Sequence, residues 1–168
     1  AGKRRSRKPG AGRRGAFCKM VCLSHLPLWE KGNDMNLEKS CGAIVFTRRD
    51  GQLLFLIVQE AAGAYSFPKG DMEGDETEME TARREIWEET GLRPAFLPGF
   101  RETDEYDLAE KPGTRKRVTY FLAEFKDGSP IPRQGEIQKI MLLPYDRALQ
   151  LFDYAGARRI LTAAYSFL

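Results

Sequence analysis

Gly70-Asp71-Met72-Glu73-Gly74-Asp75-Glu76-Thr77-Glu78-Met79-Glu80-Thr81-Ala82-Arg83-Arg84-Glu85-Ile86-Trp87-Glu88-Glu89-Thr90-Gly91-Leu92 is the stretch that decides the fold. Its local chemistry predicts a helix. Asp75 is a good N-cap, and Glu78 three residues on can close a capping box. Gly91 can take the left-handed conformation that ends a helix. Between them Met79, Ala82, Ile86 and Thr90 recur at three- and four-residue steps and form one mostly apolar stripe. Glu85, Glu88 and Glu89 stand at i, i+3 and i+4 and share a different face. Like charges so placed repel by a few tenths of a kcal/mol per exposed pair, so that face calls for a cation. Oxygen-only ligands suit a hard ion, Mg2+ or Mn2+.

The loop ahead of the helix carries Gly70 and Gly74 among several acids. Glycine permits close backbone approach, and a helix N-terminus offers free N–H groups. The acidity of this loop favours metal-bridged contact with phosphate over direct cradling. In full, the stretch resembles the Nudix box, G-x5-E-x7-R-E-U-x-E-E-x-G-U with U a bulky apolar residue. Gly70, Glu76, Arg84, Glu85, Ile86, Glu88, Glu89, Gly91 and Leu92 meet every specified position. A solvated acidic helix would need the periodicity but not Gly70, Glu76 and Arg84 as well. The resemblance implies a metal-dependent hydrolase of nucleoside diphosphates linked to another moiety. It makes Glu85 and Glu89 principal metal ligands with Glu88 close by, and one of these carboxylates the base. It assigns Gly70, Glu76 and Arg84 structural positions in the box, Glu76 and Arg84 as a brace between loop and helix.

The chain of 168 residues fits one domain of ordinary size, and 42% hydrophobic with 30% charged residues suffices for a core. No apolar run approaches a membrane span. The net charge of +3 is uneven: residues 1–34 hold nine Lys/Arg against two Asp/Glu, +7, which leaves −4 on residues 35–168. We therefore expect a basic, disordered leader over 1–34, read as non-native to the domain, and a hydrolase domain over 35–168, opened by Met35. Cys18, Cys22 and Cys41 are odd in number and lack paired spacing, which argues against a disulfide framework. The single histidine, His25, lies in the leader, so a His-based dyad or zinc site within the domain is excluded.

Residues 40–48 and 53–59 read as two strands with apolar residues on both faces, joined by the Asp50-Gly51 turn signal, and so as central. Tyr65-Ser66-Phe67 extends toward Pro68, which keeps Phe67 extended and delivers Lys69 beside the acidic helix. After the helix, Ala95–Phe100 reads as a broken strand, 101–113 as a polar loop, and Val118–Phe125 and Ile137–Leu143 as strands. Pro144 fits the first turn of a helix over Tyr145–Phe152. A last helix follows Ala155 with Ala157, Ile160, Leu161, Ala164 and Phe167 or Leu168 inward. The order of elements suits an α/β fold; the Nudix resemblance implies an α/β/α sandwich with a mixed β-sheet.

Hydrolysis of a phosphoanhydride requires neutralised phosphate charge and a water aimed in line with the leaving group. Relatives often complete the metal site with a carboxylate from outside the box, and Glu136, opening a strand after a loop, is our choice. From Ser40 onward the domain resembles the asymmetrical diadenosine tetraphosphate hydrolases. Phe67-Pro68-Lys69-Gly70, Gly99-Phe100-Arg101 through Tyr106, and Lys116 to Glu124 carry that likeness, although Phe67 stands where a Trp is usual. The resemblance makes Tyr106 the mark of dinucleoside polyphosphate substrates. Tyr106 and Tyr120 are candidates for stacking on adenine, and Lys69, Lys116 and Arg117 for meeting phosphates. On a strand one of the last two should face away.

The first expectation is thus magnesium-dependent cleavage of diadenosine tetraphosphate to ATP and AMP by a cytoplasmic enzyme. Other substrates of the family are diphosphoinositol polyphosphates, capped or triphosphorylated RNA, and nucleoside triphosphates; the domain's −4 charge argues mildly against the inositol and RNA classes. A non-catalytic nucleotide-sensing module is a third class, though such modules usually lack box glutamates that are all present here. The expected partner is a small-molecule nucleotide substrate. No membrane is expected, nor nucleic acid unless the basic leader is native. The oligomeric state is left open.

Overall fold

Asp50 and Gly51 turn the chain with φ of 50° and 76°, the left-handed pair that a two-residue hairpin demands. They join β1 (Asn36–Arg49) to β2 (Gln52–Glu60), with Phe46 opposite Phe55 and Arg49 opposite Gln52. The computed structural model describes residues 36–168, so the expectations for the leader, for Met35 and for Cys18, Cys22 and His25 lie outside the described residues. Strand alternation on β1 divides the interior in two. Ile44 and Phe46 join one buried cluster, and Cys41, Ala43 and Val45 join another. A strand buried on both faces must be covered on both, and the helices do this.

The remaining strands are β3 (Tyr65–Ser66), β4 (Lys69–Asp71), β5 (Ala95–Phe96), β6 (Glu102–Asp107), β7 (Thr114–Glu124) and β8 (Ile137–Leu143). The main path of the sheet runs β3-β2-β1-β7-β5, with β4 also on β1, β6 on β7 and β8 on β2. β1 and β7 run parallel from Asn36 opposite Thr114 to Phe46 opposite Glu124, and the other pairs are antiparallel. Helix α1 (Glu78–Thr90) covers the Val45 face through Ala82 and Ile86. Helices α2 (Tyr145–Leu151) and α3 (Ala155–Phe167) cover the Phe46 face through Ala148, Ile160, Leu161 and Ala164. The architecture is the expected α/β/α sandwich on a mixed sheet.

Three local expectations are corrected. The N-cap of α1 is Thr77, not Asp75, and its capping box closes with Glu80. Glu78 is drawn away to Arg101 and Thr119. The polar segment 101–113 contains a strand, β6, whose ladder lacks an apolar signature. It carries cross-strand ion pairs instead, Arg117 with Glu105 at 2.6 Å and Arg115 with Asp107 at 3.0 Å. Pro144 is the N-cap of α2 and not a residue of its first turn.

Candidate active site

The β1 edge is shared, and the sharing builds the site. β2 pairs with β1 from Phe46 outward, while β4 pairs with its earlier part, Ser40 to Gly42. Gly42 lets this happen: a Cβ there would collide with the Pro68 carbonyl and with Lys69. The Ala43 amide donates to that carbonyl at 3.2 Å. Pro68-Lys69-Gly70 therefore lies directly against the central strand, with α1 beyond it. Gly70 packs under the Glu85 carboxylate, which occupies the space a Cβ would need. The Lys69 amide donates to Glu89 Oε2 at 3.3 Å.

Arg84 is the hub of loop and helix. Its Nε and one terminal nitrogen donate to the two Glu76 oxygens at 2.7 and 3.0 Å, a bidentate pair. The same guanidinium reaches the Asp71 carbonyl at 2.9 Å, Glu85 at 2.6 Å and Glu88 at 3.4 Å. The Arg84 bonds hold the Glu76 carboxyl down at about 2, against a smaller upward push from burial. This sets an acid limit on the brace. A depressed pKa contributes stability that is complete above the ordinary value of 4.5 and is lost as pH falls toward 2. Glu76→Gln should therefore lower the melting temperature near neutral pH, and the gap from wild type should close between pH 4.5 and about 2. Melts across that range check it; a gap independent of pH would place the stabilisation elsewhere.

The three helix glutamates differ in surroundings. Glu85 and Glu89 are buried, and burial pushes both carboxyls up, Glu89 to about 8. Arg84 opposes the rise at Glu85 and Lys69 opposes it at Glu89. Glu88 is half-exposed and shares Arg133, at 3.0 Å, with Glu136 at 3.3 Å. One arginine thus ties the acidic helix to the loop before β8. Among the described residues no three such side chains are already grouped as a metal cage, because Arg84 and Arg133 hold their oxygens. The donors nonetheless fit a hard divalent cation. They are carboxylate oxygens, and two sit where burial disfavours their charged form, a cost that a bound cation would offset.

Beside them stands a basic, aromatic wall. Lys69 Nζ meets Glu60 at 2.9 Å, and Glu60 also accepts from Ser66 at 2.7 Å. Burial pushes the lysine's pKa down, but the Glu60 charge and hydrogen bond, with Tyr106 and Glu89, together raise it above its usual value, so the ammonium stays protonated. Lys116 meets Asp71 at 2.8 Å, and Asp71 also accepts from Ser40. Tyr106 on β6 lies opposite Lys116 on β7 and remains exposed. Arg117 is the one of the two that faces away: strand alternation puts it on the other face with Glu105, apart from Lys116 and Tyr106. Tyr120 packs edge-on against Phe67 with ring centroids 5.5 Å apart, so both rings belong to the buried floor beneath this wall. Burial raises the Tyr120 phenol well above its usual range, and it stays protonated. Sequence reading missed Glu60, Ser66, Asp71, Ser40 and Arg133. Asp71 and Ser66 sit within stretches already singled out, but their partners come from distant strands.

The NUDIX domain model matches residues 37–164. The chain belongs to the Nudix family. Like other members, this Nudix hydrolase acts on phosphoanhydride bonds, and such enzymes generally use divalent metals such as Mg2+. It is 34% identical over 142 residues to the asymmetrical bis(5′-nucleosyl)-tetraphosphatase of Sus scrofa, covering 77% of this chain and 95% of that one. The Rattus norvegicus protein of the same description matches with the same identity and coverage, 34%, 77% and 95%. Among solved structures, a C. elegans Ap4A hydrolase in a binary complex superposes with a TM-score of 0.72 at 24% identity, over 77% of this chain and 96% of that one. Among the described residues of this Nudix hydrolase, no helix is long and apolar enough to cross a membrane.

Proposed function

We propose that this hydrolase cleaves diadenosine tetraphosphate to ATP and AMP in a reaction that depends on Mg2+ or Mn2+. The observation that carries the reading is the wall itself. An exposed tyrosine, Tyr106, pairs across strands with Lys116, and Lys69 lies between them and the acidic helix. The likeness to the asymmetrical tetraphosphatases over 95% of their length supports the same substrate.

Glu85, Glu88 and Glu89 would hold the metal, with Glu136 joining through the Arg133 link. Bound metal supplies charge neutralisation on phosphate and acidifies water. The chain's own residues do the rest. Lys69 and Lys116 meet polyphosphate oxygens, each already oriented by a carboxylate. Arg84 fixes Glu85, and the Lys69 amide fixes Glu89, so these side chains are ordered before substrate arrives. One of the carboxylates takes the proton from the attacking water. One P–O–P bond is broken per water, and the unequal division of four phosphates yields ATP and AMP.

The test is product analysis with magnesium over a panel of dinucleoside polyphosphates, nucleoside triphosphates, capped RNA and diphosphoinositol polyphosphates. ATP and AMP in equal amounts from diadenosine tetraphosphate, at a higher kcat/KM than any other compound, are expected. Preference for another class would overturn the assignment. Tyr106→Ala gives a second check. Loss of a stacking ring costs roughly 1–3 kcal/mol, so kcat/KM for adenine-bearing substrates should fall about 5- to 150-fold. Inositol polyphosphates have no base and should be little affected. Equal losses for both would show that Tyr106 holds strand β6 and not a base.

A further inference from the structure

On the side of α1 turned away from Glu85 and Glu89, the helix and β5 flank an open cleft of about 320 Å³ lined by Arg83, Arg84, Trp87, Arg93, Pro94 and Phe96. Its construction follows from the local sequence. Arg83 and Trp87 stand at i and i+4 and share one helix face. Gly91, at φ 69°, ends the helix and turns the chain so that Arg93 comes back over the Trp87 ring, 4.4 Å from its centroid. Arg83 lies 4.6 Å over Phe96 in the same way.

Two features of this cleft leave it open to a ligand. First, neither Arg83 nor Arg93 forms an ion pair or side-chain hydrogen bond to any carboxylate among the described residues; Arg49, Arg147 and Arg158 share that condition, but Arg83 and Arg93 line one cleft together, whereas Arg48, Arg101, Arg115, Arg117, Arg133 and Arg159 are paired with carboxylates. Glu80, one turn before Arg83, is held by Thr77. Second, Trp87 is 47% exposed although Arg93 covers part of it. A guanidinium stacked on a ring keeps its in-plane N–H donors directed outward, where they meet phosphate oxygens in pairs. An exposed indole offers the flat surface on which a nucleobase stacks. The volume lies at the small end of ligand pockets and suits one nucleotide, not an extended polymer.

We propose that this cleft is a second nucleotide site, distinct from the one formed by Glu85, Glu88 and Glu89 and the wall beside them, which takes a nucleoside monophosphate with its base on Trp87 and its phosphate on Arg83 and Arg93. Arg84 connects the two sites, since the guanidinium that lines the cleft also holds Glu85 and Glu88. The inference does not depend on which dinucleotide is hydrolysed.

The test uses the full chain with Trp29→Phe, which leaves Trp87 as the only tryptophan of the two present. AMP is titrated without divalent metal, with excitation at the red edge of indole absorption where adenine is transparent. Saturable quenching is expected, with inorganic phosphate binding at least tenfold more weakly than AMP. The Arg83→Ala, Arg93→Ala double variant should weaken AMP at least tenfold while melting like its parent. Tyr106→Ala, at the other site, should leave the titration unchanged. No quenching at millimolar AMP, unchanged affinity in the double variant, equal affinity for phosphate and AMP, or loss of the signal in Tyr106→Ala would each overturn the proposal.

Discussion

Glu89→Gln should leave a folded protein with turnover reduced on the order of 10²- to 10⁴-fold, equivalent to about 3–5 kcal/mol of transition-state stabilisation. Size and helix propensity barely change. The buried Glu89 carboxylate is unfavourable when charged, and its folded pKa of about 8 lies above the ordinary 4.5. In a raised acid the charged form costs stability once pH exceeds 4.5, and that cost grows until about 8. An amide carries no such cost, so without added metal the variant should melt at or above wild type near neutral pH. Its defect is chemical: a hard cation prefers carboxylate to amide oxygen. The loss should appear more in kcat than in KM, because the missing charge matters most as the transition state forms. Glu73→Gln, in the exposed loop, is the control. A folded Glu89→Gln with wild-type turnover at limiting magnesium would refute the role given to this helix.

Gly70→Ala should separate activity from stability in a second way. The added methyl falls where the Glu85 carboxylate now sits. Backbone need not move, because the obstructing atoms are the far end of a flexible side chain; the glutamate swings aside instead. We expect turnover to fall about 10- to 10³-fold, roughly 1.4–4 kcal/mol, from displacement of one ligand oxygen pair. The fall in melting temperature should be small. Higher magnesium should restore part of the rate if the displaced carboxylate can still reach a cation. A variant that unfolds, or one that retains full turnover, would show that Glu85 and Gly70 do not interlock as described.

What the sequence made legible was local. The helix over 78–90, its end at Gly91, the Asp50-Gly51 hairpin and the strands of β2, β7 and β8 all follow from periodicity or turn chemistry contained within a dozen residues. The box likewise announced Gly70, Glu76 and Arg84, and the structure adds the reason for each. The failures were of two kinds. Asp75 and Thr77 both precede a glutamate by three residues, and the contest was settled by Arg101 and Thr119, which engage Glu78. β6 was hidden because ion pairs hold its register where apolar alternation was sought. Partners such as Glu60 for Lys69 and Asp71 for Lys116 depend on which strands become neighbours, and no local pattern encodes that.

The parallel pairing of β1 with β7 has a bearing on how the chain comes to be folded. Asn36 finds its partner at Thr114, 78 positions later. At a synthesis rate of roughly 5–20 residues per second, the apolar strand from Cys41 to Phe46 exists for about 4–16 s before its neighbour has been made. During that interval the hairpin with β2 can close, but the opposite edge of β1 presents unpaired amides and carbonyls to any other nascent strand. Closing so long a loop is also entropically slow. Assembly of the sheet is therefore a late event on the ribosome, and the same edge is where aggregation would begin if synthesis stalled before residue 114.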